Sequence, residues 1–118
     1  MDIGDVWAFH GGSRMTAGAV IVMVRLLAGL YQVDAGLLQC IVAHESDYNV
    51  NAVNGQHEGL CQFKPTTRDW LAGKASADPA WLHGKIEPGP VYNVALAAFW
   101  IARGMGPHWA TYEICGGG

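Results

Sequence analysis

The chain has 118 residues, 51% apolar and 14% charged, with seven Lys and Arg against ten Asp and Glu and a formal net charge of −3. That length supports one domain, since roughly two-thirds of the unfolded surface can be buried at this size, and the composition excludes the disordered class, which has few apolar residues and a large net charge. No stretch clusters Lys and Arg, so no electrostatic footprint for nucleic acid is present.

Residues 1–12 carry Trp7, Phe9 and the pair Gly11-Gly12 without periodicity and read as an N-terminal extension. The run 15-MTAGAVIVMVRLLAGL-30 has the length of a targeting segment, but Arg25 interrupts it and no small-x-small cleavage site closes it. A membrane span needs about 20 uninterrupted apolar residues, which also excludes that reading. The run predicts a buried helix, capped by Ser13 or Thr16 and ending near Gln32, with Met15, Ala19, Val22, Met23, Leu26, Leu27 and Leu30 at helical spacing.

Asp34 caps a second predicted helix, through Leu37, Leu38, Ile41 and Val42 to about Ser46. The segment 47-DYNVNAVNGQHEG-59 is rich in Asn and Gly, and Asn54-Gly55 is a strong turn signal, so a loop with a small hairpin is expected. Pro65-Thr66-Thr67 leads into a short helix capped by Thr66 or Thr67, with Trp70 and Leu71 facing inward, and Asp78-Pro79 repeats the start signal before Ala80, Trp81 and Leu82. After the break 84-GKIEPGP-90, residues 91–103 predict a helix that stops at Gly104, followed by a last short helix from Pro107 to Tyr112 and a Gly-rich tail, 113–118. With no sustained strand alternation and no internal repeat, the expected class is all-α or nearly so, a single domain spanning 1–118.

Cys40, Cys61 and Cys115 are odd in number and lack a C-x-x-C spacing, which favours neither a disulfide framework nor a zinc site. Cys40 reads as a small core hydrophobe, with one pairing left open. No metal or cofactor is expected.

The chemistry concentrates at Glu45, which continues the stripe Leu38, Ile41 that the second helix should bury. A carboxyl group at the negative end of the helix dipole, on an apolar face, is favoured in its neutral form and so suits a general acid; the alternative is a surface Glu. His44 before Glu45 does not make a metalloprotease motif, because H-E-x-x-H needs a second histidine where Tyr48 stands. Thiol pairs such as Cys40/His44 or Cys61/His57 are weak signals, and no phosphate loop is present. Trp70, Trp81, Trp100 and Trp109 fall in predicted helices and read as core.

Taken in order, Glu45-Ser46, Asn49, Ala52, a turn, Gly59-Leu60-Cys61-Gln62-Phe63, then Pro65 and Thr66, with Asn93-Val94 and Ala110-Thr111-Tyr112 further on, resemble the soluble lytic transglycosylase domain. That family is related to goose-type lysozyme, and the resemblance covers residues 17–112. It implies a lysozyme-like helical domain with a glycan-binding groove, acting as a monomer on peptidoglycan glycan strands and cleaving between N-acetylmuramic acid and N-acetylglucosamine. Glu45 would be the catalytic acid and then the base that draws the muramoyl 6-hydroxyl onto C1, giving a 1,6-anhydro product. Ser46, Gly59, Gln62, Asn93 and Tyr112 would bind substrate or shape the acid's surroundings, Tyr112 by pointing its hydroxyl at Glu45. The chain departs from the family pattern at Cys61, where methionine is usual, and at Glu113, where asparagine is common. Asp47 and Glu58 are candidates for a second carboxylate, which would make the chain a hydrolytic muramidase. A non-catalytic peptidoglycan-binding or virion module is the reading from another class. With no export signal recognised, the resemblance is compatible with delivery in a phage particle, by a lysis system or as part of a longer chain.

Overall fold

The computed structural model describes residues 15–105 and 110–117; the expected extension 1–12, the candidate cap Ser13, and Pro107 and Trp109 lie outside the described residues. The described chain is mostly helical, with one two-stranded sheet. Helix α1, Ala17–Tyr31, starts where the Thr16 side chain accepts from the Ala19 amide at 3.1 Å, and it ends at Gln32 in the left-handed region with φ 59°. Helix α2, Ala35–Ser46, starts at Asp34, whose carboxylate accepts from the Leu37 amide at 2.7 Å, and ends at Asp47 with φ 51°. Both N-caps satisfy amide groups that the first turn leaves without partners.

The Asn/Gly-rich segment forms the expected hairpin, β1 (Val53–Asn54) paired antiparallel with β2 (His57–Glu58), its turn passing through Gly55 at φ 64°. A bridge from Glu58 to Phe63 then folds 59–62 into a tight turn. Helix α3, Pro65–Ser76, starts at Lys64 rather than at Thr66 or Thr67, and Lys64 makes no side-chain cap; Pro65 at the first position supplies the fixed φ instead. Helix α4, Pro90–Ala102, ends before Gly104 at φ 80°, as the sequence predicts. Helix α5 runs Ala110–Ile114.

Helix α4 is the axis of the core: Val94, Ala95, Leu96, Ala97, Ala98, Phe99 and Trp100 are all buried. An all-round apolar helix needs neighbours on every side, and α1 and α3 pack against it, while α2 lies between α1 and α5. Leu38, Ile41, Leu60 and Leu96 are essentially inaccessible, and truncating one of them to Ala costs about 2–5 kcal/mol.

Several expectations are corrected. In α1 the buried face is Val20, Val24, Leu27, Ala28 and Tyr31, whereas Val22, Leu26 and Leu30 are exposed, because only one stripe of an apolar helix meets the core. In α3, Leu71 and Ala75 face inward and Trp70 does not, with 53% of it exposed; one residue along a helix turns the side chain by about 100°. No helix forms at Ala80–Leu82; the segment is a turn in which Trp81 is buried and its Nε1 donates to the Gly84 carbonyl at 2.8 Å. Cys40 is not a free core residue but is bonded to Cys115 across 75 positions, leaving Cys61 as the buried free thiol. Closing a loop of that length stabilises by about 4–5 kcal/mol in the chain-entropy account. The expected Gly-rich tail is therefore tied to α2 through residue 115. No described helix is long and apolar enough to cross a membrane.

Candidate functional site

Glu45 lies one turn beyond Ile41 and two beyond Leu38, both fully buried, on the stripe of α2 that the sequence predicts. The stripe runs out of core at that point: Glu45 is half-buried and opens into a cleft of about 530 Å³. Gln62 and Phe63 come from the turn after β2, Trp70 and Leu71 from α3, Trp100 from α4, and Thr111 from α5. The cleft thus gathers side chains from positions 45 to 111, with more apolar wall than polar.

The hydroxyl on Glu45 belongs to Thr111, whose Oγ1 donates to Oε1 at 2.6 Å. Thr111 is buried, so the bond is shielded from competing water and fixes one carboxyl oxygen. The sequence reading assigned this contact to Tyr112. The Tyr112 ring instead lies against Gly117, where a side chain would meet it at 2.6 Å. Cys115 directly follows α5, and its amide donates to the Thr111 carbonyl at 3.0 Å, so the two residues lie on the same side; the bond from Cys115 to Cys40 turns that side toward α2, which brings Thr111, not its neighbour, to Glu45.

Gln62 is buried at φ 54° and lines the same cleft. Its Nε2 donates to the carbonyls of Ala52 at 3.0 Å and Gly59 at 2.8 Å, which locks the turn, while its Oε1 has no hydrogen-bond partner within the protein. The other such atom among the described residues is Nε1 of Trp100, also on the cleft wall. An orphaned buried polar atom costs about 1–3 kcal/mol, and both of these orphans belong to cleft residues. Trp70 stacks on Trp100 with centroids 5.9 Å apart and planes at 13°, forming a two-ring aromatic wall that reaches from core to surface. The Lys74 ammonium lies 5.1 Å above the Trp70 ring.

The remaining sequence candidates hold the frame rather than the cleft. Ser46 is buried and its Oγ donates to the Val42 carbonyl at 3.0 Å. Asn93 Oδ1 accepts from the Cys61 amide at 2.8 Å and Nδ2 reaches the Glu58 carbonyl at 3.5 Å, so this amide pins the turn to α4. Gly59, at φ 81°, makes room for it: a Cβ there would stand 2.4 Å from Asn93 Nδ2. The close approach that glycine permits is to Asn93. Glu58 and Asn93 line a separate hollow of about 230 Å³ with Arg68, Glu87 and Tyr92, and Asp47 is an exposed helix C-cap. Neither Asp47 nor Glu58 lines the Glu45 cleft.

Thiol chemistry has no support here. Burial, and secondarily the Glu45 carboxylate, push the Cys61 thiol far above the ordinary cysteine range, which disfavours the thiolate nucleophile, and Cys40 has no free thiol. Trp70, Trp100 and Thr111 are among the cleft residues that the sequence did not point to, as are His57, Lys64 and Thr67. A Trp one position out of phase with Leu71 was the available signal for Trp70; a five-residue helix carries too few turns to give Thr111 a phase.

Compared with known proteins, the chain matches no family model, no curated protein and no solved structure.

Proposed function

We propose that this chain is a lytic transglycosylase of lysozyme-like fold that cuts peptidoglycan glycan strands between N-acetylmuramic acid and N-acetylglucosamine. The observation that carries this reading is the composition of the cleft: among the described residues lining it, Glu45 is the one carboxylate, set beside an aromatic wall and held by a buried hydroxyl.

A single acid narrows the chemistry. Hydrolysing glycosidases use a second carboxylate as nucleophile or to activate water, at about 5–9.5 Å from the first. In the proposed reaction the Glu45 carboxyl group gives its proton to the glycosidic oxygen as the C1–O bond breaks. The resulting carboxylate then accepts the proton of the muramoyl 6-hydroxyl as that oxygen bonds to C1, closing the 1,6-anhydro ring and restoring the acid. The substrate's own hydroxyl replaces the second carboxylate. The bond from Thr111 to Oε1 orients the carboxyl group so that Oε2 handles the proton in both steps. The flat apolar faces of sugar rings suit the exposed part of Trp70, and the sugars' hydroxyl and acetamido groups suit the polar edges around Gln62 and Trp100.

Clearing of purified cell walls by native protein and by Glu45→Gln tests the assignment, and equal clearing by both removes it. Mass spectrometry of the released muropeptides tests the chemistry: anhydro ends are expected, and reducing ends would instead establish a hydrolytic muramidase.

A further inference from the structure

We propose that Cys40, His44 and Cys115 form a second site, a thiolate and imidazole seat for a divalent cation of the zinc class, which opens when the Cys40–Cys115 bond is reduced. The donor atoms of the three side chains all lie within 4.8 Å of one another. Cys40 and His44 stand one turn apart on α2 and so share a face, while Cys115 follows the last turn of α5. Tetrahedral zinc, with bonds of about 2.3 Å to sulfur and about 2.0–2.1 Å to nitrogen, needs donors roughly 3.5–3.8 Å apart. Rotation of short side chains covers that difference.

The donor set selects the ion. Two sulfurs and one imidazole suit zinc and its neighbours, whereas calcium and magnesium demand oxygen ligands. The His44 side chain is exposed and makes no hydrogen bond among the described residues, so either ring nitrogen can serve. The cysteines are half-buried and His44 is exposed, so water can reach the cluster and fill the fourth position of a tetrahedral ion. The reaction balances with a dithiol as reductant: it supplies two electrons and two protons, becomes a disulfide, and leaves thiols at Cys40 and Cys115. Binding the cation then releases both thiol protons, while His44 binds as neutral imidazole. The cation would replace the covalent tie between α2 and α5, so that α5 keeps its docking under reducing conditions. The inference does not depend on what the Glu45 cleft binds.

Cobalt(II) titration of the whole chain, reduced without air, tests it. The expected result is one ion per chain, with thiolate-to-cobalt charge transfer of two-thiolate intensity, tetrahedral d–d bands, and bleaching of both by added zinc. Replacing a direct ligand costs at least the ten- to hundredfold in affinity typical of supporting residues, so His44→Ala, a surface change, should weaken binding by at least about tenfold. A reduced chain that loses helix and regains it on adding cobalt also supports the site. Absence of charge transfer, six-coordinate cobalt spectra, or His44→Ala titrating like the native chain overturns it.

Discussion

Two aromatic groups in this molecule use the same residue types to opposite ends. At the C-terminal end of α1, Tyr31, Trp81, His83 and Phe99 close on one another, with stacked and edge-on contacts between 5.3 and 6.2 Å. Trp81 Nε1 and the Tyr31 hydroxyl have partners: Trp81 Nε1 donates to the Gly84 carbonyl, and Tyr31 accepts from the Leu82 amide while its own hydroxyl meets His83 Nδ1. At the cleft, Trp100 keeps an orphaned Nε1 and Trp70 leaves half its surface open. Aromatic content alone does not set the two groups apart; unmet polar atoms and exposed ring surface beside an acid do.

The comparison can be broken most sharply at the acid. Removing a general acid costs about 10²–10⁴-fold, so Glu45→Gln should abolish wall clearing to that extent with little change in melting temperature; clearing within tenfold of native would place the chemistry elsewhere. Next, Trp81→Ala and Trp70→Ala should separate the groups. Truncating a buried tryptophan costs about 3–5 kcal/mol, so Trp81→Ala should lower the denaturation midpoint strongly. Trp70→Ala should leave that midpoint near native and weaken sedimentation with insoluble peptidoglycan by about tenfold, the equivalent of an aromatic contact worth ~1.4 kcal/mol. If the two variants exchange these effects, the distinction fails.

Thr111→Val, which keeps the shape and deletes the hydroxyl, sharpens the account of how the acid is held. On the proposed reading Glu45 becomes a carboxylate as it gives up its proton, and a hydrogen bond to a charged group is worth about 1.5–3 kcal/mol, so turnover should fall by roughly ten- to a hundredfold, whereas Tyr112→Phe should be close to native. The smallest effect concerns pH. Burial holds the His83 imidazole below its ordinary value of 6.5, and Tyr31 donating to Nδ1 fits the neutral ring. The unfolded chain therefore binds the proton more readily than the folded one as pH falls below about 6.5, and stability should decline from there until the folded ring also titrates. Urea midpoints between pH 7 and 5 should show a shallower slope in His83→Gln; an unchanged slope would assign the pH dependence to other groups.

Most of the frame was legible because local signals and tertiary packing agree there. Thr16 and Asp34 as caps, Gly104 as a stop and Asn54-Gly55 as a turn are each short-range chemistry that needs no knowledge of the rest of the chain. Glu45 was legible from its stripe. What sequence did not reveal depends on distant contacts: Trp81 gives up a helix to reach the core, an odd cysteine count hides the Cys40–Cys115 bond, and that bond sets which residue of α5 meets the acid. Asn93 and Gly59 are each expected from the sequence to face a ligand, and their close approach to each other could be seen only in three dimensions.

Glu45 and Thr111 are 66 positions apart, and this distance has a temporal meaning. During synthesis the carboxyl group and most of its wall emerge long before the hydroxyl that aligns it. On the proposed reading, a wall-cutting protein of this design lacks its aligned acid on the ribosome and reaches full activity only after the helix at 110–114 has docked.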